Sequence, residues 1–291
     1  MTEEPRHTAP PPPPTIEEVV ACGGRYVSPQ DGVEMVLIPA GEFYFGAREG
    51  DIFAPDDELP GRRVYLRAFL IDRDPVTNAR FASFIAAGGY ADRRYWSAEA
   101  WEWCQRAGVR RPASLEKEGF DAPDQPAAGV SWYEADAFAR FAGKQLPTEA
   151  QWEKAARGTD ARPFPWGEGL PRSDRCNFNS KVGRTTPPGR YPLGDSPYGL
   201  RDMSGNVNNW CRDYYWAGFY SYCARNGLNR DPCLDEPLRR SLGLADAMRA
   251  DRGGGFATSF ACWEVLRTSG RLAWPPSHRQ LWHGFRCVIE L

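Results

Sequence analysis

Few side chains in this sequence are of the types that carry out catalysis or bind transition metals. The chain has three histidines, His7 near the start and His278 and His283 near the end. A metal site of three imidazoles therefore cannot be assembled without the N-terminal residues. The eight cysteines include no Cys-x-x-Cys pair, so no structural zinc site is expected. Neither a Gly-x-Ser-x-Gly turn nor a phosphate-binding glycine loop occurs.

Several carboxylates belong to predicted helix starts. Ser131 and Glu134 have the spacing of a capping box, in which the two side chains satisfy backbone N–H groups of the first turn. Thr148 begins a second box, and Glu149 and Glu153 follow it, where acidic side chains favour the helix dipole. The pattern predicts two main helices, each ended by a glycine, and a structural role for these carboxylates.

The elements around these helices are short. Residues 34–46 predict two strands separated by Pro-Ala-Gly, and residues 62–77 predict one further strand. Thr77 can cap a helix that ends at a Gly-Gly pair. After residue 158 the chain is dense in Gly, Pro, Asn and Asp, so about half of the domain is expected to be loop, above the usual 40%. The sequence therefore predicts a loop-rich α+β domain.

Composition excludes some classes of partner. The net charge is -2, and no field favours nucleic acid or an anionic membrane. No apolar run of about 18 residues is present, and the first residues lack a secretory signal, so we expect no membrane insertion and a cytoplasmic protein.

The chain is predicted to consist of a tail and one domain. Residues 1–30 include five consecutive prolines and are expected to form a disordered tail or linker, followed by a single domain over 31–291. The cysteines are expected to be reduced in the cytoplasm, with a disulfide between Cys223 and Cys233 as the alternative.

Six sequence blocks resemble a known family. In order they are MVLIPAGEFYFG, GVSWYEADAFARFAGKQLPTEAQWEKAARG, FPWGEG, YGLRDMSGNV, RGGGF and GFRC. Together they resemble the formylglycine-generating-enzyme (sulfatase-modifying factor) family from about residue 33 to the C-terminus. The resemblance implies a C-type-lectin-like fold with short twisted antiparallel sheets, two main helices and much loop. The family contains copper-dependent oxidases of a substrate cysteine, iron-dependent sulfoxide synthases and members that only bind.

The metal ligands that the resemblance implies are missing. The two copper-binding cysteines of the oxidases align with Thr258 and Trp263, which supply no thiolate. The three histidines of the iron enzymes have no counterpart in the folded part. We therefore predict no catalytic residues, no required cofactor and no enzymatic function. A metal-dependent oxidase or sulfoxide synthase is the alternative.

The resemblance also implies a calcium site. Asn177 matches the family's ligand position, and Phe178 could supply a backbone carbonyl for one structural calcium ion. The family's glutamate in the GNVNNW segment is replaced by Asn209, which lowers the available negative charge. The alternative is that these asparagines bridge loops through hydrogen bonds to the backbone.

The C-terminal segment resembles a second group with this fold, the variable proteins of diversity-generating retroelements. The constant blocks RGGGF, LRTSGR and GFRC alternate with the mixed blocks ATSFACWEV and LAWPPSHRQLWH over about residues 252–287. We predict that this region displays a patch that binds a protein partner, as aromatic side chains do in antibody paratopes. For the three tryptophans of the mixed blocks, core packing is the alternative. The predicted ligand-binding residues are Thr258, Ser259, Phe260, Trp263, Glu264, Leu272, Ala273, Trp274, His278, Gln280, Leu281, Trp282 and His283.

Overall fold

The computed structural model describes residues 12–245 and 247–291. The α-helices in these ranges are α1 (Ile16–Ala21), α2 (Asn78–Ala86), α3 (Ala98–Ala107), α4 (Trp132–Phe141), α5 (Glu149–Arg157), α6 (Phe219–Asn226) and α7 (Glu236–Ser241). The strands are β1 (Arg25–Val27), β2 (Glu34–Ile38), β3 (Gly41–Phe45), β4 (Arg62–Leu66), β5 (Phe69–Asp72), β6 (Asn208–Tyr214), β7 (Arg249–Arg252), β8 (Arg271–Trp274), β9 (His283–Gly284) and β10 (Val288–Glu290).

Three small sheets carry the domain. One has the order β1-β2-β5-β10 and is antiparallel throughout, and β3 and β4 form an antiparallel pair. The third has the order β8-β7-β6-β9, in which β6 and β9 are parallel. The C-terminal strands β8 and β9 therefore lie at the two edges of one sheet, with β7 and β6 between them. These short sheets, with helices packed against them, confirm the predicted α+β, C-type-lectin-like class.

Two hydrophobic clusters hold the sheets and helices together. Trp152 of α5 lies in the first with aromatic residues from β3 and α6, and it is fully buried. Trp210 of β6 lies in the second with residues of α2 and α4. Burial of large aromatic rings offsets the small amount of regular structure. None of the described helices has the length and apolar character that a membrane crossing needs.

The predicted capping boxes are present at both main helices. The Ser131 hydroxyl accepts from Glu134 N, and a Glu134 carboxylate oxygen accepts from Ser131 N at 2.9 Å. At α5, Thr148 Oγ1 accepts from Gln151 N at 3.0 Å, and Gln151 Oε1 accepts from Thr148 N at 2.9 Å. The helix starts were therefore predictable from local spacing.

Removal of the cap of α5 should have a moderate cost. We expect Thr148→Ala to lower the free energy of unfolding by about 1 kcal/mol, because one N–H of the first turn loses its acceptor. Chemical denaturation of the variant and of Thr159→Ala, which changes an exposed threonine outside the cap, measures the effect. Equal stability of the two variants would show that the cap contributes nothing.

Residues 62–77 form two strands where one was predicted. The chain leaves β4 at Arg67, whose backbone N–H donates to Asp231 Oδ1 at 2.9 Å. After this break β5 pairs with β2 and β10 instead of β3. The acceptor lies 164 positions away, so no local pattern could reveal the break.

The folded part also begins earlier than residue 31. Helix α1 is capped by Thr15 and buries Val19, and β1 pairs with β2 through Arg25, Tyr26 and Val27. The prediction of a tail over residues 1–30 is therefore wrong for residues 15–27, and residues 1–11 lie outside the described residues. All eight cysteines lie within the described ranges as free thiols, so Cys223 and Cys233 do not form the alternative disulfide.

Candidate functional site

A cavity of about 420 Å³ opens beside the C-terminal strands. Strand β8 and the turn after β7 supply most of its walls. The lining residues are Asn208, Ala257, Thr258, Ser259, Cys262, Val265, Leu272, Trp274 and Trp282. We refer to it as the Trp274 cavity. Its walls are mainly apolar, which is typical of sites that bind small molecules or side chains.

Strand geometry decides which side chains reach the Trp274 cavity. Successive residues of a strand point to opposite faces, so Leu272 and Trp274 share one face of β8 and Ala273 lies on the other.

The close approach of the backbone at Gly255 to Asn208 and Trp282 requires a glycine. A Cβ atom there would lie 2.8 Å from both Asn208 Oδ1 and Trp282 Cβ.

Four buried arginines fix the strands around the cavity. Arg271 donates to both carboxylate oxygens of Glu149, at 2.9 and 2.7 Å. Arg267 donates to Asp51 and Glu58, each at 2.7 Å. The other two are Arg252, which pairs with Glu149 and Glu153, and Arg286, which donates to Asn209 Oδ1 at 2.7 Å. These ion pairs and hydrogen bonds anchor the constant blocks inside, and exposed positions between them include residues 259–262 and 280.

Glu153 is the most heavily used carboxylate of this network. It pairs with Arg157 and Arg252, and it accepts from Gly46 N at 2.7 Å and from the Tyr220 hydroxyl at 3.2 Å. Its side chain is fully buried. The structural role predicted for this carboxylate therefore extends beyond the helix start.

Two imidazoles and a carboxylate form a chain of contacts next to the cavity. His283 Nδ1 lies 2.8 Å from Asp251 Oδ2, and His283 Nε2 lies 2.8 Å from His278 Nδ1. Asp251 Oδ2 also accepts from Asn208 Nδ2 at 2.8 Å. The His278 ring stacks on Trp274 with a centroid distance of 4.5 Å and an interplanar angle of 1°. The contacts therefore run from a buried carboxylate to the imidazole of His278, which stacks on the lining residue Trp274 and does not itself line the cavity.

His283 does not lie at the surface, contrary to the sequence-based expectation. It is 0% exposed, and its ring stacks on Trp210 at 4.6 Å. The parallel pairing of β9 with β6 draws it inward, where Asp251 supplies a polar partner. His278 is half-buried. Burial lowers the pKa of His278 below its ordinary value of 6.5, and a positive charge on the neighbouring His283 would lower it further, so the neutral form of His278 predominates at pH 7.

The remaining predicted binding residues fall into separate places. Thr258, Ser259, Leu272, Trp274 and Trp282 line the Trp274 cavity. Phe260, 49% exposed, and Gln280 lie at the surface, whereas Glu264, Ala273 and Leu281 are half-buried and do not line it. The binding function of all these residues stays a prediction.

Trp263 belongs to a second cavity of about 460 Å³. The centroid of the Trp263 ring lies 5.1 Å from that of Phe53 and 6.0 Å from that of Phe164. Because Thr258 lines the Trp274 cavity, the two positions that align with the copper-binding cysteines face different cavities.

Several cavity residues were missed at the sequence level. Cys262 and Val265 lie inside a mixed block that was identified, and no signal separated them from their neighbours. Asn208 lies in the GNVNNW segment, which was considered only for metal binding. Asp251 precedes the RGGGF block and carries no local signal at all.

The donor atoms present do not fit copper or iron. Within the described part of the chain, no three side chains of His, Cys, Asp or Glu are grouped so that they could hold a metal ion. His278 and His283 contact each other through ring nitrogens, which occupies one nitrogen of each. The third histidine, His7, lies outside the described residues. We therefore derive no chemical step through either metal.

The predicted calcium ligands have mixed features. Asn177 is buried, and its Oδ1 has no hydrogen-bond partner among the described residues, so this oxygen is available as a ligand for a cation. Its Nδ2 donates to Arg184 O at 2.9 Å and to Asn206 Oδ1 at 3.2 Å. These two hydrogen bonds also join two loops. The Phe178 carbonyl accepts from Lys181 N at 3.2 Å. One free amide oxygen is a weak calcium site, because calcium takes six to eight oxygen ligands.

Comparison with known proteins gives one matching family model. The model described as the sulfatase-modifying factor enzyme 1-like domain matches residues 25–291. The chain is 33% identical to a formylglycine-generating enzyme of Thermomonospora curvata, over 90% of this chain and 96% of that protein. It is 34% identical to a hercynine oxygenase of Mycolicibacterium thermoresistibile, over 82% of this chain. The chain spans about half of that oxygenase, 54% of its length.

Two solved structures have a similar fold. PvdO from Pseudomonas aeruginosa matches with a TM-score of 0.71 and 24% identity, over 92% of this chain and 98% of that one. Treponema denticola variable protein 1 matches with a TM-score of 0.60 and 20% identity, over the same shares of the two chains. These matches agree with both resemblances drawn from the sequence, and at these identities they concern the fold alone.

The prediction that the chain is not an enzyme is wrong. The curated relatives that match most of its length, a formylglycine-generating enzyme and a hercynine oxygenase, are enzymes. The prediction rested on two missing sets of metal ligands, the cysteine pair and the three histidines, and the loss of these sets does not exclude catalysis by other side chains.

Proposed function

The chain belongs to the sulfatase-modifying factor enzyme 1-like family, and from this membership we propose that it is an enzyme acting on a cysteine side chain or another thiol compound. The observation that carries the proposal is the Trp274 cavity, which opens at the surface between Leu272, Trp274 and Trp282. A thiol is a small, weakly polar group that packs well against apolar and aromatic walls. The cavity therefore suits such a substrate better than a charged one.

The polar atoms of the cavity support this substrate class. Thr258 Oγ1 accepts from Gly255 N at 3.0 Å, and Asn208 Nδ2 donates to Asp251. Both groups are already engaged within the protein, so they compete weakly for an incoming ligand. Binding then depends on contact with the indole rings and on exclusion of water.

We also propose that the substrate group is carried by a protein or peptide partner. Ser259, Phe260 and Gln280 are exposed, and the first two lie beside the opening of the cavity. The second cavity, between Phe53 and Trp263, offers a further apolar contact. Exposed aromatic side chains of this kind contribute much of the energy of protein recognition. In this proposal, the protein partner that was predicted from the sequence carries the substrate group.

A second candidate function is a diversified binding surface. The constant blocks contribute the buried arginines 252, 267, 271 and 286, and the mixed blocks between them contain the exposed residues 259–262 and 280. Replacement of the exposed residues would leave the buried ion pairs intact. Sequencing of the neighbouring DNA tests this idea: it requires a near-copy of the 3′ coding segment, altered at adenines, beside a reverse transcriptase gene. Absence of both would eliminate it.

Loss of the cavity wall should abolish most of the activity. We expect Trp274→Ala to reduce kcat/KM about tenfold or more, since even 1.4 kcal/mol of lost contact energy corresponds to a factor of ten. Mass spectrometry of a pool of cysteine-containing peptides and of hercynine, incubated with each protein, detects the product. The matched control is Trp103→Ala, which changes a half-buried tryptophan of α3 whose ring centroid lies 5.2 Å from that of Tyr133. Equal conversion by the two variants would contradict the proposed site.

We propose one structural calcium ion at Asn177. Bound calcium would raise the melting temperature, because a ligand that binds only the folded state stabilises it. The measurement is the melting temperature in calcium and in chelator, for the wild type and Asn177→Ala. A rise confined to the wild type is expected, and no rise in the wild type would leave Asn177 as a loop bridge only.

A further inference from the structure

We propose that His278 is the proton-transferring residue of the Trp274 cavity and that His283 and Asp251 position it. The proposal rests on the proposed function, because it assumes that the substrate binds in this cavity. No metal or bound cofactor is needed for it. The contacts from Asp251 to His283 and from His283 to His278, each 2.8 Å, carry the argument.

The inner end of this chain of contacts is suited to hold positive charge. Asp251 and His283 are both 0% exposed. Asp251 Oδ1 and His283 Nδ1 have no hydrogen-bond partner among the described residues, whereas Asp251 Oδ2 accepts from Asn208 and lies 2.8 Å from His283 Nδ1. A buried carboxylate that accepts so few hydrogen bonds favours a cation beside it. His283 is the side chain placed to become that cation.

The outer end of the chain of contacts is placed to meet a ligand. His278 is half-buried, and its ring lies flat against Trp274, a wall of the cavity. The titratable groups that act on it are His283 of β9 and Asp251 of β7. The next residue, Arg279, is paired with Glu134 of α4 at 2.9 Å and so is already neutralised. His278 is therefore the titratable group of the contact chain that solvent and substrate can reach.

We assign one proton to each ring when both rings are neutral. His283 carries its proton on Nδ1, which lies 2.8 Å from Asp251 Oδ2 although no aligned hydrogen bond joins the two atoms. His283 Nε2 then accepts from His278 Nδ1–H. This arrangement leaves the lone pair of His278 Nε2 unprotonated. Orientation of an imidazole by a carboxylate, so that the correct nitrogen acts as the base, is the logic of the serine protease triad.

The transfer itself balances without another reactant. A substrate X–H, such as a thiol or water, gives its proton to His278 Nε2. His278 Nδ1 passes its own proton to His283 Nε2, and the products are X⁻ and a His283 imidazolium beside the Asp251 carboxylate. Protonation of the product by the reverse route restores both neutral rings. Proton transfer of this kind contributes about 100-fold to 10,000-fold to enzymatic rates.

Hydrolysis of 4-nitrophenyl acetate tests the proposal without knowledge of the natural substrate. The ester is aromatic and apolar, and a water molecule whose proton passes to His278 would attack it. All proteins carry Cys22→Ser and Cys262→Ser, because those exposed thiols could react with the ester themselves. We expect the protein that keeps His278 to hydrolyse the ester at least tenfold faster than the His278→Gln variant. Its rate should decline as the pH falls through the pKa of His278, which lies below 6.5. The matched control His7→Gln removes the remaining histidine and should leave the rate unchanged.

A second variant separates positioning from folding. Asp251→Asn should retain the melting transition yet lower the rate and change its pH profile, whereas a purely structural aspartate would leave the pH profile unaltered. If Asp251→Asn does not fold, the comparison with His278→Gln decides alone, because His278 is half-buried and its loss is tolerable.

The outcomes distinguish this inference from the proposed function. Quenching of tryptophan fluorescence by the product analogue 4-nitrophenol reports whether the cavity binds at all. Binding, together with equal rates for the wild type and His278→Gln, would overturn the role of His278 and leave the cavity as the substrate site. Failure of 4-nitrophenol to bind would overturn both.

Discussion

Glu153→Gln is expected to lower the free energy of unfolding by about 3–5 kcal/mol, because it removes the charge from a buried carboxylate that serves two guanidinium groups. Arg157 and Arg252 both pair with Glu153, and neither side chain is more than 1% exposed. The amide would also direct its own N–H groups at these donors. Two buried cations would then be left with incomplete partners.

Urea denaturation measures this change, and Glu168→Gln is the matched control. Glu168 forms one ion pair with Arg48, and its side chain is 73% exposed. Exposed pairs contribute at most about 1 kcal/mol, so the control should remain close to the wild type. A loss below about 1 kcal/mol for Glu153→Gln would show that the buried network does not hold the strands of the site.

Asp202→Asn is expected to stabilise the protein, and more strongly at pH 8 than at pH 5. Burial raises the pKa of Asp202 from 3.8 to about 7, although a hydrogen bond from Asn206 and the charge of Arg286 oppose this shift. Asn fits the position, because the backbone φ of 51° is left-handed and asparagine tolerates that region. Asn could also accept the 2.8 Å hydrogen bond from Asn206.

The sign of the pH dependence follows from the raised pKa. Between about pH 4 and pH 7 the folded chain keeps a proton on Asp202 that the unfolded chain releases, so stability from this group is present at low pH and lost as the pH rises through 7. A gain on the order of 2–4 kcal/mol at pH 8 is expected for the variant. Urea denaturation of both proteins at pH 5 and pH 8 isolates the effect, because all other groups are common to them. If the wild type and Asp202→Asn differ in free energy of unfolding by the same amount at pH 5 and pH 8, the raised pKa of Asp202 is contradicted.

Local spacing and family motifs predicted most of the fold. The capping boxes at Ser131 and Thr148 depend on residues three positions apart, and both form as predicted. Strands β2 and β3 follow from a proline–glycine turn between two apolar runs. Strand β1 was missed because its pairing with β2 depends on the tertiary structure, and the preceding prolines suggested a tail.

The site was predictable only in part, because its key contacts join distant segments. The C-terminal segment was predicted to display a binding patch, and five of the residues predicted for that patch line the Trp274 cavity. The burial of His283 depends on Trp210, which lies 73 positions earlier, and on Asp251. The sequence also could not reveal that Thr258 and Trp263 face different cavities, since this follows from the 3-10 helical segment Phe260–Leu266.

The absence of the copper and iron ligand sets was given too much weight. Thr258 and Trp263 cannot supply thiolates, and this part of the argument is unaffected by the relatives. The step from missing ligands to missing catalysis failed because the relatives that match most of the chain are enzymes. The paired histidines beside a buried aspartate are the groups to which we assign acid–base chemistry, and only the fold brings these three residues together.

Chemical occlusion of the Trp274 cavity tests the central claim most directly. Cys262 lines the cavity and its thiol is exposed, so in a Cys22→Ser background a bulky maleimide can be attached there selectively. The measurement is conversion of the peptide pool before and after labelling, with Cys262→Ser treated in the same way as a control for effects of the reagent. We predict that labelling abolishes conversion by the Cys262 protein and changes nothing in the Cys262→Ser protein. Full conversion by the labelled Cys262 protein would mean that the substrate reacts elsewhere on the molecule.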